Sequence, residues 1–298
     1  MDGSFIQGVI PALVTPMQPD ESLDREGLKR LIDGVIQGGV HGIFTCGTAG
    51  EFWAMSVDEK QMLYEWTVEL TADRVPVYLG TSANSTVEAV ELAQRAERAG
   101  ADCLSILTPA FITPTDEELF RHYAEIAEAT TLPILLYNLP ARTGVSLSLE
   151  LVDRLHTTYP HIVGLKDSTG NFEQALAFIR ELPETFRFVM GRDTLILSAF
   201  EAGAAGAIAA SANVAPEIAS GIFEAFKQGD MARASDLQGR LAPLRDAFAL
   251  GTHPAMLKSG ADLVGFSGGP PRRPVTPLDD DQVEALKRIL NEIGKVVT

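Results

Sequence analysis

Short apolar runs and longer stretches of helical periodicity alternate along this chain from its first residues onward. Residues 8–14 are apolar and end at Thr15 and Pro16; a 3.6-residue pattern then begins at Asp24 and stops at Gly38 and Gly39. The same unit recurs as 42–45 with 56–71, 75–79 with 85–99, 103–107 with 115–129, and 133–137 with a helix from about Ser148. It continues as 162–165 with a helix from about Asn171, 186–190 with 193–202, and 205–209 with 215–227. Ser56 and Glu59 stand at the spacing of a capping box. Strands that are continuously apolar rather than alternating imply parallel neighbours covered on both faces. Eight such units in roughly 220 residues predict closure into a (β/α)8 barrel. A doubly wound open sheet is the structural alternative, but the turn after the first strand, 15–20, carries no glycine-rich dinucleotide fingerprint. From about Asp230 the helical pattern runs on to Leu250 and resumes over 279–293, across a Gly/Pro-rich segment at 265–274. The expected organisation is a barrel of residues 1–229 and a helical extension of residues 230–298 packed beside it, placed for a subunit contact.

Charge narrows the choice of partners. The 298 residues carry a net charge of −16 with a pI near 4.7, which leaves no basic face for nucleic acid or an anionic membrane. An anionic small molecule would need a site built locally from backbone N–H groups, Lys and Arg. Cys46 and Cys103 lie in apolar runs and read as reduced core residues rather than a disulfide or metal pair. The start Met1-Asp2-Gly3-Ser4 lacks a basic leader, and no apolar run reaches transmembrane length, so the cytoplasm is the expected compartment. The histidines at 41, 122, 156, 161 and 253 have no ligand spacing, so metal catalysis is not expected, and no Gly-x-Ser-x-Gly elbow marks a serine nucleophile.

In a barrel the chemistry gathers on the loops after the strands. Lys166 follows the strand core 162–165, whereas Lys29, Lys60, Lys227, Lys258, Lys287 and Lys295 sit in polar or helical surroundings that suit surface ammoniums. A lysine buried at a strand end is driven towards the neutral amine that a carbonyl nucleophile requires; one that snorkels outward, or pairs with Asp167, is not. Tyr137 ends the fifth strand after four apolar residues, where its hydroxyl would need a partner; it is a proton shuttle for Lys166 or a cap on the barrel core. The loop Gly47-Thr48-Ala49-Gly50-Glu51 offers backbone N–H groups and the Thr48 hydroxyl to a carboxylate, or else forms a tight turn capped by Glu51. Arg142 could fork onto a second carboxylate; Arg192 is expected to pair with Asp193. The small-residue stretch 203–213 leaves room for a ligand, or forms the phosphate cradle that barrels build after their last strands.

Three ordered motifs, Gly47-Thr48-Ala49-Gly50-Glu51, Tyr137-Asn138-Leu139-Pro140-Ala141-Arg142-Thr143-Gly144 and Gly164-Leu165-Lys166-Asp167-Ser168-Thr169-Gly170, make the chain resemble the dihydrodipicolinate synthase / N-acetylneuraminate lyase family from about Phe5 to Pro277. That resemblance implies a (β/α)8 lyase or aldolase, a homotetramer without cofactor, in which a lysine forms a Schiff base with pyruvate or another 2-keto acid that then reacts with an aldehyde. It implies Lys166 as the Schiff-base residue, Tyr137 as the acid/base hydroxyl and Thr48 in its proton relay. Thr48 and Ala49 would hold the keto acid's carboxylate, Arg142 the aldehyde partner's carboxylate, and Ile208 would lie beside the pyruvyl group. Two positions depart from the synthase pattern. Ala49 stands where the synthases carry a second threonine, and Phe111 where they carry a tyrosine that reaches a neighbouring subunit's site. Condensation of pyruvate with aspartate semialdehyde and cleavage or dehydration of a 2-keto-3-deoxy sugar acid both fit this pattern. Outside the class stand a phosphometabolite-binding barrel that uses Lys166 as a charge, and a catalytically silent relative.

Overall fold

The computed structural model describes residues 3–297; Met1 and Asp2 of the N-terminal segment read above lie outside them. The strands are β1 (Gly8–Pro11), β2 (Ile43–Thr45), β3 (Val77–Gly80), β4 (Cys103–Leu107), β5 (Ile134–Asn138), β6 (Ile162–Asp167), β7 (Arg187–Met190) and β8 (Gly206–Ala209). Between them run α1 (Arg25–Gln37), α2 (Val57–Thr71), α3 (Thr86–Ala99), α4 (Asp116–Glu128), the short α5 (Pro140–Thr143), α6 (Leu149–Thr158), α7 (Phe172–Glu181), α8 (Ile196–Ala202) and α9 (Pro216–Lys227). The extension adds α10 (Met231–Asp246), α11 (Ala255–Leu263) and α12 (Asp280–Glu292).

All strand pairs are parallel in the order β1-β8-β7-β6-β5-β4-β3-β2, and the barrel closes through the bridge Ala12 to Phe44 and the bond from Leu13 N–H to Phe44 O at 2.8 Å. The open-sheet alternative is thereby overturned. Helix starts follow the local chemistry: Asp24, Ser85 and Ser148 cap their helices by accepting a backbone N–H three residues on, and Ser56 and Glu59 form the reciprocal box. The strands are buried on both faces, with Ile10, Phe44, Leu79, Leu104, Leu136 and Leu165 in one continuous core.

Two expectations need correction. The extension does not only lie beside the barrel: α10 packs along α9, but the segment 245–253 that follows folds over the barrel mouth and lines the cavity there. Nor are all other lysines at the surface. Lys60 is buried beside Glu88, and Lys258 is wholly buried, its Nζ 2.5 Å from Glu51 Oε1 and 2.8 Å from Pro270 O. Glu51 Oε2 in turn accepts the Arg272 N–H at 2.8 Å, while the Arg272 guanidinium forks onto Glu59 at 2.7 and 3.0 Å. Lys258 lies on α11, a nine-residue helix between the two helical patterns read from the sequence, and nothing local says which of its faces meets the barrel.

This network has a measurable consequence. Lys258→Met leaves the Glu51 carboxylate buried without its counter-charge, and loss of one partner from a buried pair costs about 3–5 kcal/mol. Urea unfolding is expected to read a loss of that size; a change below about 1 kcal/mol would show that the pair is dispensable.

Candidate active site

The parallel register of β5 and β6 sets Tyr137 directly opposite Lys166, at the C-terminal ends of both strands. The Lys166 amine lies 3.8 Å from the centroid of the Tyr137 ring and 4.8 Å from that of Phe44, and its residue is only 4% exposed. Loss of hydration in this pocket pulls the Lys166 pKa below its ordinary value, against the opposing pull of Tyr137 and the Asp193 carboxylate. Tyr137 Oη reaches Thr48 Oγ1 at 3.4 Å, a long hydrogen bond between the β5 end and the loop after β2.

That loop is held in an unusual backbone. Cys46 and Glu51, on either side of Gly47 to Gly50, both have left-handed φ, 56° and 60°, a conformation that branched and bulky residues avoid. The buried Glu51–Lys258 pair fixes one end, and at the other the Cys46 carbonyl lies where a Cβ on Gly80 would be only 2.1 Å away, so position 80 admits nothing larger than glycine. Thr15 Oγ1 also donates to Gly50 O at 2.7 Å. Held this way, the N–H groups of Thr48 and Ala49 have no acceptor among the described residues. Two adjacent free donors beside a buried amine suit a small carboxylate.

Thr48, Ala49, Tyr137, Arg142, Lys166 and Ile208 all line a single cavity of about 920 Å³ at the barrel mouth. The structure thus brings these six candidate residues together. Phe111 projects from the loop between β4 and α4, 99% exposed and with φ of 74°. Arg192 does not pair with Asp193 as expected. Asp193 instead accepts the N–H and hydroxyl of Ser211 at 2.9 and 2.5 Å, which fills the start of the loop after β8 with a carboxylate and makes it a poor phosphate cradle. Asp167 is tied to Asn138 Nδ2 at 2.9 Å and Thr169 Oγ1 at 2.6 Å, so it supports the floor of the site and leaves Lys166 without an ion-pair partner.

Sequence reasoning missed Asp193 as a neighbour of Lys166, together with Arg245 and His253. Asp193 was visible as the only acidic residue directly after the seventh strand run. Arg245 and His253 lie in the extension, and nothing in their local pattern announces the barrel mouth. His253 is held down to about 4, first by burial and then by the positive fields of Arg142, Arg245 and Lys166, so its ring is neutral at pH 7.

The sequence pattern of the Dihydrodipicolinate synthetase family matches residues 5–293. The chain is 40% identical over 293 residues to the 4-hydroxy-tetrahydrodipicolinate synthase of Methanopyrus kandleri, covering 98% of each chain. It is 38% identical over 292 residues to the enzyme of that name from Neisseria gonorrhoeae, covering 98% of this chain and 100% of the other. Among solved structures it superposes on an E. coli prophage protein of the dihydrodipicolinic acid synthase family, in complex with pyruvate, with a TM-score of 0.94, 31% identity and coverage of 97% and 98%. It superposes on the chloride-inhibited dihydrodipicolinate synthase of Acinetobacter baumannii, complexed with pyruvate, with a TM-score of 0.92, 35% identity and coverage of 98% and 100%.

Proposed function

Since this chain belongs to the dihydrodipicolinate synthetase family and is with it an enzyme of the aldolase and lyase type, we propose that it works through a Schiff base between Lys166 and pyruvate or another 2-keto acid. The observation that carries this reading is the buried Lys166 amine, pulled towards neutrality, opposite Tyr137 and in one cavity with the free N–H groups of Thr48 and Ala49. In this reading those N–H groups hold the keto acid's carboxylate, and Ile208 packs beside its methyl end. The neutral amine adds to the keto carbon, and Tyr137 supplies the proton that turns the former carbonyl oxygen into a hydroxyl. Tyr137, with Thr48 as relay, then helps that hydroxyl leave as water. The resulting iminium draws electrons from the neighbouring carbon, and loss of a proton there gives an enamine. The enamine adds to an aldehyde, or is generated when a longer 2-keto acid is cleaved. Every step uses protons and electron pairs already in the reactants, so no cofactor is called for.

The second partner is proposed to be an aldehyde whose carboxylate meets Arg142, as in a 4-hydroxy-tetrahydrodipicolinate synthase that joins pyruvate to aspartate semialdehyde. One observation favours the alternative, a 2-keto-3-deoxy sugar-acid aldolase or dehydratase: Phe111 has no hydroxyl with which to extend the Tyr137–Thr48 relay. Parallel assays decide between them. The synthase reading expects condensation of pyruvate with aspartate semialdehyde at least about tenfold more efficient than cleavage of 2-keto-3-deoxygluconate; the reverse ratio would favour the alternative.

We further propose that residues 1–229 carry the chemistry while residues 230–298 complete its mouth, and that the protein is a homotetramer of the cytoplasm. No helix among the described residues is long and apolar enough to cross a membrane. Cys46 and Cys103 are free and buried, with the Cys46 thiol pushed up to about 12 by burial, so both are inert at neutral pH. Phe111 and Ile112 are both exposed on the β4–α4 loop and would be covered between subunits. Phe111→Asp is therefore expected to lower the mass measured by light scattering from that of a tetramer to that of a dimer or monomer. An unchanged tetramer would place the interface elsewhere.

A further inference from the structure

The cavity at the barrel mouth is larger and more cationic than a small keto acid and Arg142 account for. Besides Lys166 and Arg142, its wall includes Arg192, Arg245 and the neutral His253, with Asp193 and Asp246 as the acidic members. Asp193 is committed to Ser211 through both a backbone and a hydroxyl donor. None of Arg142, Arg192 and Arg245 forms an ion pair with any described residue. Arg192 follows β7, with its Nε pressed against Gly170, where a Cβ would be 3.2 Å away, and that Nε is buried without a hydrogen-bond partner. Arg245 stands on the last turn of α10, its guanidinium stacked 4.3 Å from the Phe248 ring centroid, which leaves the planar edge free to bind. The two arginines sense one another: burial lowers the Arg245 pKa, Asp193 opposes this, and the positive field of Arg192 adds to it.

In a chain with a net charge of −16, unpaired guanidinium groups gathered on one cavity wall are a local device. They differ in origin from Arg142, which lies exposed on the α5 turn. We propose that Arg192 and Arg245 form a second anion subsite, which receives a carboxylate or phosphate group at the far end of the substrate, remote from the carboxylate held by Thr48 and Ala49. The inference rests on the keto-acid reading above and assigns the far anion of the substrate to Arg192 and Arg245 in place of Arg142, so the substrate of this enzyme carries two anionic ends. The extension, through Arg245, then sets specificity for the distal group, while the barrel strands hold the reacting one.

Paired 2-keto acids that differ only at the far end test this. The Lys166 adduct is trapped with borohydride and its half-saturation measured for 2-oxoglutarate against 2-oxopentanoate, 2-oxoadipate against 2-oxohexanoate, and 2-oxopimelate against 2-oxoheptanoate. At the chain length that reaches the subsite, the dianion is expected to half-saturate at a concentration at least about tenfold lower than its monoanionic mate. Arg245→Met and Arg192→Met should each shrink that ratio several-fold, and Arg245→Lys should restore part of it. 5-Phosphono-2-oxopentanoate in place of 2-oxoadipate tells the two anions apart: a larger ratio assigns the subsite to phosphate, a smaller one to carboxylate. A ratio near one at every length would overturn the proposal, as would a preference that survives the Arg192→Met/Arg245→Met double variant and disappears only in Arg142→Met. If wild-type protein traps no keto acid at all, pyruvate included, it is the Schiff-base reading that fails. Calorimetric binding of adipate then judges the subsite: binding weakened at least about tenfold in the double variant supports it, and equal affinity overturns it.

Discussion

Lys166→Met is expected to lower kcat by about 10⁴-fold or more with either candidate substrate pair, because no other amine can form the covalent intermediate at this position. The same substitution should leave the melting temperature equal or higher. Lys166 is buried without an ion-pair partner, and an apolar side chain of similar length removes the cost of dehydrating its amine. Loss of activity together with retained stability separates a nucleophile from a structural lysine. Lys258 should behave in the opposite way, since its removal strands Glu51. The lowered pKa also fixes the sign of a pH effect. The reactive form is the neutral amine, so imine formation rises as pH rises through the Lys166 pKa and levels off above it. That rise is expected below the range of a solvated lysine, about 10.4. Steady-state rates and stopped-flow imine formation between pH 5 and 10 check both points; full activity in Lys166→Met, or a rise only near pH 10, would contradict the assignment.

Tyr137→Phe is the second large effect. The ring packs against the Lys166 amine and should keep doing so, while the hydroxyl that meets Thr48 at 3.4 Å is lost. Proton transfer by a positioned side chain contributes about 10²–10⁴-fold, so kcat should fall by that factor while KM for pyruvate changes by less than about threefold. The Schiff base should still form, only slowly, and borohydride trapping should reach the same end point after a longer time. A kcat within about fivefold of wild type would show that water or Thr48 can take over, and would remove Tyr137 from the mechanism.

Much of this site could be read along the sequence because local rules place it. Continuous apolar runs mark buried parallel strands, and residues such as Lys166 and Tyr137 at their C-terminal ends must face the barrel mouth. Caps at Asp24, Ser56 and Ser148 fix where the helices begin, since each satisfies an otherwise orphaned N–H. What stayed hidden depends on contacts distant in sequence. Glu51 meets Lys258 across 207 positions, and that pairing ties down one end of the Gly47 to Gly50 turn. α11 was missed because its nine residues fall between the glycine-rich turns at 251 and 265 and give too short a pattern to recognise. Arg245 lies in the last turn of a helix that carries Pro243 within it, and only the docking of α10 on α9 carries the end of that helix over the mouth.

In the proposed mechanism Lys166, and no other lysine, is the nucleophile towards a 2-keto acid. Incubation with pyruvate, reduction with borohydride and mass mapping of the digest tests it directly. One reduced pyruvyl group per chain is expected, on the peptide that contains Lys166, and none in Lys166→Met. No adduct on folded protein, or an adduct on Lys258 or any other lysine, would contradict it.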